Sequence, residues 1–175
     1  AALLMATVHS ALHLEAATAA SPAAVLRRLN LSLLDRKETG TFVCLFYAHV
    51  DPEPRVLTYA NAGIEPPVMV RGGAGWEVLD QGGLVLGVSA DADYPEAQVR
   101  LNSGDRVLVF SDGLMDVEEL TGSDAPPVGP EALVAAMNEG RAEVRESLRR
   151  VLAARGLTRP GPPPDDATLL LLQAY

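Results

Sequence analysis

The sequence has little cysteine: Cys44 is the only one among 175 residues. An internal disulfide and a zinc site built from several thiolates are therefore excluded. This composition fits a reducing compartment, so we expect the protein to act in the cytoplasm. The apolar runs fall short of the roughly 20 residues that a membrane-spanning helix needs, so we expect no direct membrane contact.

Basic residues are also scarce: 14 Lys and Arg stand against 23 Asp and Glu, and the formal net charge is −9. Duplex DNA and anionic membranes both require a basic face, so neither is expected as a partner. Many acidic domains use such charge only for solubility, although it is also compatible with a divalent cation site. Hydrophobic residues make up 48% of the chain, which is enough for a sizeable core.

Several familiar catalytic motifs are missing. There is no phosphate-binding loop and no Gly-x-Ser-x-Gly elbow, and the glycine pairs at 72–73 and 82–83 lack the setting of a nucleotide cradle. His9 and His13 have the helical spacing of a zinc pair, but Ser10 stands where a zincin needs Glu. We interpret this pair as exposed or capping.

Hydrophobic spacing predicts a largely buried helix over residues 1–16, and a second helix from the Ser21-Pro22 cap to about Asp35. Two helices and a last strand are predicted near the end of the chain, at 131–138, 142–154 and 167–172. Between them the pattern predicts short strands, at 41–50, 55–60, 67–71, 76–79, 97–101 and 106–110. This order indicates an α+β fold in which helices pack outside antiparallel sheet.

Two acidic positions follow or precede predicted strands. Asp112 comes directly after an apolar strand and before Gly113, so a rigid strand end fixes the carboxylate and the glycine lets a ligand approach. The alternative is an Asp that only forms a turn or caps the next helix. Asp165 and Asp166 follow three prolines that restrict the chain and so hold these carboxylates in place. The alternative interpretation of the two residues is a solvated turn. Carboxylates from separate strand ends suit a hard cation such as Mg²⁺ or Mn²⁺.

Five segments, in this order, resemble the sporulation and stress-response phosphatases of bacteria. This group is a branch of the metal-dependent type 2C (PPM) protein serine/threonine phosphatases. The opening AALLM also resembles the helix that follows the family's Asp-Val-x-Gly-His-Gly motif, so the match spans almost the whole chain. The five segments are FVCLFY at 42–47, LTYANAG at 57–63 with Pro66-Pro67, LGV at 86–88, GDRVLVFSDG at 104–113 and DDAT at 165–168.

The resemblance implies an α+β fold, an antiparallel β-sandwich flanked by helices. It implies two Mg²⁺ or Mn²⁺ ions bridged by carboxylates, and a metal-held water that attacks phosphoserine or phosphothreonine without a phosphoenzyme. Carried over by position, Asp112 and Asp165 are metal ligands, Gly113 permits close approach, and Asp166 is a neighbour of the ligands. Beyond these metal ligands and their neighbours, no catalytic residue is assigned.

The same resemblance implies the partners: a phosphorylated anti-sigma-factor antagonist or similar phosphoprotein, and an upstream sensor or receiver domain. The chain starts inside a helix pattern without the family's Gly-Asp-aromatic and Asp-Val-x-Gly-His-Gly motifs. We therefore expect residues 1–175 to form a single PPM-type domain that lacks its first strands and first metal motifs, and to be weak or inactive alone. The alternative is a non-catalytic, phosphatase-like binding or regulatory module.

One segment departs from the family pattern. Related sequences often read Asn-Ala-Gly-His-Asn-Pro-Pro, whereas this chain has Ile64 and Glu65 in place of His-Asn. A phosphate or substrate contact at these two positions is therefore in doubt, whereas metal binding should not depend on them.

Overall fold

A computed structural model describes residues 2–35, 42–72, 75–115, 129–138, 143–154, 157 and 167–175. The chain divides into two compact units, Ala1–Ile64 with Asp80–Leu101, and Glu65–Leu79 with Asn102–Tyr175. In the described ranges each unit carries one antiparallel sheet and two α-helices, which confirms the predicted α+β class. None of the described helices is long and apolar enough to cross a membrane.

The elements follow the predicted order. In chain order they are α1 (Ala2–Ala16), α2 (Pro22–Leu34), β1 (Leu45–Asp51), β2 (Val56–Ala62), β3 (Val68–Val70), β4 (Trp76–Val78), β5 (Glu96–Arg100), β6 (Arg106–Phe110), α3 (Pro130–Asn138), α4 (Val144–Ala154) and β7 (Leu169–Gln173). The expectation of one domain over residues 1–175 stays a prediction.

Helix α2 begins where the sequence predicts. Ser21 is the N-cap, its hydroxyl oxygen accepts a hydrogen bond from the backbone nitrogen of Ala24 at 3.4 Å, and Pro22 occupies the first turn. Its apolar face packs on the sheet of the first unit. The core formed there includes Val25, Leu26, Leu29, Ala60, Ala62, Leu86, Ala92 and Tyr94.

Helix α1 differs from the prediction of a largely buried helix. Val8 is buried, but Met5 and Leu14 are 61% and 68% exposed. Met5 lies three residues before Val8, close to the buried side of the helix, and is still exposed. The prediction was therefore wrong for Met5 and Leu14, since α1 is only partly covered.

The sheet of the first unit has the order β1-β2-β5 and is antiparallel throughout. Strands β1 and β2 form the predicted hairpin, with Leu45 opposite Ala62 and Asp51 opposite Val56. A short bridge outside the strands pairs Val43 with Leu86 through two backbone hydrogen bonds.

The sheet of the second unit has the order β4-β3-β6-β7. Strand β6 lies between β3 and β7, and its last residue, Phe110, is opposite Leu169. Strand β7 is an outer strand of this sheet, and its Leu170 and Leu172 are exposed. Helices α3 and α4 cover the other face, where the core includes Val68, Val70, Leu108, Phe110, Leu114, Leu133, Met137, Val151 and Leu171.

Candidate functional site

The end of β6 carries the carboxylate that the sequence identifies. The chain leaves the strand at Ser111, which is still extended, and makes one turn of 3-10 helix over Asp112–Leu114. Leu114 is fully buried, and its nitrogen donates to the Ser111 oxygen at 3.1 Å. An inner strand and a buried leucine therefore fix the turn on both sides.

Asp112 lies at the start of this turn with its side chain exposed. Its Oδ1 accepts a hydrogen bond from the backbone nitrogen of Gly113 at 2.9 Å, which orients the carboxylate, and Gly113 itself is buried. An exposed, oriented carboxylate oxygen is the kind of ligand that Mg²⁺ and Mn²⁺ prefer. The alternative role of Asp112 as a turn-forming residue also agrees with the structure, since its carboxylate accepts a hydrogen bond within its own turn.

The start of β7 is joined to the same turn. The Ser111 nitrogen donates to the Thr168 oxygen at 3.1 Å, and the Thr168 nitrogen donates to Ser111 Oγ at 2.9 Å. Thr168 thus lies beside the residue that precedes Asp112. In the sequence, Asp165 and Asp166 directly precede Ala167. Both lie outside the described residues, so their role stays a prediction.

The described residues supply part of a metal site. In the ranges that the structure describes, no three His, Cys, Asp or Glu side chains come together in a group that would hold a metal ion. Asp112 fits as one oxygen ligand, and a complete set is not found in these ranges. His9 and His13 lie with ring centroids 4.4 Å apart on the exposed face of α1, which confirms the prediction that they are exposed.

A buried carboxylate at the opposite end of β6 was not predicted. Asp105 is 2% exposed and accepts three hydrogen bonds of 2.8 to 2.9 Å, from the Asn102 nitrogen, the Gly72 nitrogen and Arg71. Burial raises the pKa of this carboxyl, but the three hydrogen bonds and the Arg71 charge outweigh burial, so its pKa lies below the usual value. Arg71 also pairs with Glu77. The only sequence signal is an Asp between a turn glycine and an apolar strand.

Asn61 has a structural role in the Asn-Ala-Gly segment. Its side-chain nitrogen donates to the Ile64 oxygen at 2.8 Å, and its side-chain oxygen accepts from the Ile64 nitrogen at 3.0 Å. The turn passes through Gly63 with a φ of 78°, where a Cβ atom would overlap the Val85 side chain. Because this turn uses only the backbone of residue 64, it accommodates Ile in place of the His that related sequences carry.

The Leu-Gly-Val segment is held by a residue that sequence reasoning missed. Asn30 of α2 is 1% exposed; its side chain donates to the Ser89 oxygen and accepts from the Gly87 nitrogen, both at 2.8 Å. The available sequence signal was an Asn within a helix of largely apolar residues. A polar side chain that is buried there requires hydrogen-bond partners. Asn30 therefore fixes the loop after Leu86 onto the helix.

The architecture matches known structures over nearly all of the chain. The SiaA PP2C domain of Pseudomonas aeruginosa superposes with a TM-score of 0.77 at 20% identity, covering 99% of this chain and 69% of that one. A structure of the RsbU and RsbW domains of a Mycobacterium tuberculosis protein gives 0.70 at 21% identity, covering 99% and 47%. The fold is that of the PP2C-type (PPM) protein phosphatases.

The sequence comparison is more specific. A family model described as Stage II sporulation protein E (SpoIIE) matches residues 1–175, and the chain belongs to this family. Phosphoserine phosphatase RsbU of Bacillus subtilis (strain 168) is 33% identical over 117 residues, which are 66% of this chain and 35% of RsbU. The resemblance to this phosphatase branch is confirmed, and the chain spans about a third of the length of that relative.

Proposed function

We propose that this chain is part of a metal-dependent protein serine/threonine phosphatase. Its substrate is a phosphoserine or phosphothreonine on a regulatory protein such as a phosphorylated anti-sigma-factor antagonist. The observation that carries the proposal is the exposed Asp112 carboxylate at the end of an inner strand, with the start of β7 hydrogen-bonded beside it. The family match and the name of RsbU, a phosphoserine phosphatase, support this reaction class.

In this proposal Asp112 and Asp165 are ligands of Mg²⁺ or Mn²⁺. Gly113 leaves space beside the Asp112 carboxylate, and Asp166 neighbours the ligands without binding the metal itself. Bound divalent ions supply a water of lowered pKa and offset the negative charge of the phosphate oxygens. The contribution of the chain is to hold carboxylate oxygens from two strand ends in a fixed arrangement.

The proposed setting is a cytoplasmic signalling protein that also carries an upstream sensor or receiver domain. The family match and the sequence similarity to RsbU support this setting, and a protein that combines RsbU and RsbW domains has the same fold in its matching part. Two carboxylates are too few to hold two divalent ions tightly, so we propose that residues 1–175 alone turn over phosphoprotein weakly or not at all.

The test uses the natural gene product that contains this sequence, assayed with Mn²⁺ on phosphoserine and phosphotyrosine peptides. We expect Mn²⁺-dependent release of phosphate from phosphoserine, and a loss of about 100-fold or more in kcat/KM for Asp112→Asn. The matched control is Asp91→Asn, an exposed Asp of the first unit, which should behave as wild type. Phosphoprotein binding without turnover in the wild type would instead support the non-catalytic module.

A further inference from the structure

Ser111 uses three polar groups at the junction between β6, the Asp112 turn and β7. Its nitrogen donates to the Thr168 oxygen, its carbonyl oxygen accepts from the Leu114 nitrogen, and its Oγ accepts from the Thr168 nitrogen. The three bonds are 2.9 to 3.1 Å long. One residue therefore connects the turn that bears Asp112 to the first residues of the last strand.

The side chain replaces a backbone group in the sheet ladder. In an antiparallel pair, two opposite residues commonly exchange two backbone N–H···O bonds. Beyond Phe110 and Leu169, Ser111 and Thr168 keep one of these bonds, and Ser111 Oγ takes the place of the second backbone acceptor. The Ser111 carbonyl is directed to Leu114 instead. The hydroxyl thus lets the chain turn at Asp112 without releasing the start of β7.

The ordinary role of a serine before a helix does not account for this contact. A serine N-cap usually accepts a hydrogen bond from the second or third residue of its own helix. Ser111 is the N-cap of the turn over Asp112–Leu114, but its side chain makes no such bond. The hydroxyl is bonded instead to Thr168, which lies 57 residues away in the sequence.

We propose that Ser111 is a positioning residue for the metal site. Its Oγ joins the start of β7 to the residue directly before Asp112, and so fixes the backbone that carries the Asp112 carboxylate. This inference rests on the proposed function, in which Asp112 binds the metal. A carboxylate binds an ion tightly only when the backbone that carries it is held in place beforehand.

The experiment compares Ser111→Ala, Ser111→Val and Ser111→Thr in the natural gene product. Free Mn²⁺ is measured by electron paramagnetic resonance, which gives the Kd without reference to activity. We expect the Ala and Val variants to bind Mn²⁺ about tenfold more weakly, whereas Thr, which keeps the oxygen, binds close to wild type. Val and Thr have nearly the same shape, so their difference isolates the hydroxyl from packing even if the Ala variant folds poorly.

A second readout follows the hydrogen bond itself. In metal-free protein, the Thr168 amide should exchange with deuterium faster in the Val variant than in the Thr variant, because it has lost its acceptor. At saturating Mn²⁺ the kcat of both variants should approach wild type, since the ligands are unchanged. Ser147→Ala is the matched control: Ser147 is fully buried in the same unit and bonded to Arg106, and its loss should lower stability without changing the Mn²⁺ Kd.

Asp112→Asn separates the two proposals. If it leaves the Mn²⁺ Kd unchanged, the assignment of the metal ligand is wrong and the proposed function fails with it. If Asp112→Asn abolishes binding but the Val and Thr variants at Ser111 bind equally well, only the positioning role of Ser111 is overturned.

Discussion

Gly83 lies so close to the backbone oxygen of Asp93 that a Cβ atom on Gly83 would overlap it. At the adjacent Gly82, the nearest atom to an added Cβ is the Asn61 Cβ at 3.5 Å, an ordinary contact. Neither glycine has a positive φ, so the difference between them is space alone. The sequence pattern excluded this glycine pair as a nucleotide-binding loop, and the structure gives Gly83 a packing role instead.

Gly83→Ala should therefore destabilise the first unit by about 1–3 kcal/mol or more, because the backbone at Asp93 must shift. Gly82→Ala should change the free energy of unfolding by less than about 1 kcal/mol in either direction. Urea unfolding followed by far-ultraviolet circular dichroism measures both. Equal effects of the two substitutions would contradict the close approach.

Asp105→Asn should destabilise the second unit by about 2–4 kcal/mol. The substitution removes a buried charge that three donors share, and it directs amide hydrogens at groups that are themselves donors. Trp76, the only tryptophan, lies in β4 beside this network and reports unfolding by fluorescence. Asp91→Asn, at an exposed position, should leave the transition unchanged, and a similar shift in both variants would refute the role of Asp105.

The stability should also depend on pH through Asp105. Its folded-state pKa is lowered, so its contribution is fully present above the unfolded value of about 3.9 and is lost as the pH falls through the folded value. Wild type should therefore lose stability below about pH 4 more steeply than Asp105→Asn does. Identical acid profiles for the two proteins would show that this carboxyl does not carry the acid sensitivity.

Asn30→Ala should lower stability by about 2–3 kcal/mol, because it leaves the Gly87 nitrogen and the Ser89 oxygen without their partner in α2. Arg27→Ala is the control on the same helix. Arg27 makes an exposed ion pair with Asp93, and such pairs contribute at most about 1 kcal/mol. Thermal unfolding of both variants decides between a shared cost of changing α2 and a specific cost at Asn30.

Asp165→Asn should impair Mn²⁺ binding and kcat/KM as Asp112→Asn does. Since the two residues are proposed to serve one site, the double variant should be little worse than either single variant. The measurement is phosphoserine-peptide hydrolysis over a range of Mn²⁺ concentrations. Additive losses in the double variant would mean that the two aspartates act independently.

Local sequence pattern predicted which elements form. The apolar run of 106–110 matched β6, and the Ser21-Pro22 signal matched the start of α2. Which strands pair with each other was harder to predict from the sequence. Strands β5 and β6 follow one another along the chain but belong to different sheets. A short connection favours a hairpin, and nothing in the two strands themselves excludes one.

The candidate site was predictable only in part. Asp112 stands out because a strand end and a glycine flank it. Three contacts elsewhere in the two units were not predicted either. They join residues 33 to 59 positions apart, those of Asp105 with Gly72, of Asn30 with the loop after Leu86, and of Ser111 with Thr168. Such contacts are set by tertiary structure, so a window of neighbouring residues does not contain them.

The position of β7 at the end of its sheet affects how the protein behaves at high concentration. The strand reads LLLLQ and carries no charge, and two of its leucines face solvent. Charged residues on outer strands are a common protection against edge-to-edge association, and β7 has none. We expect concentration-dependent association through β7, visible by light scattering and relieved by Leu172→Lys, so dilute handling is the appropriate condition for the measurements above.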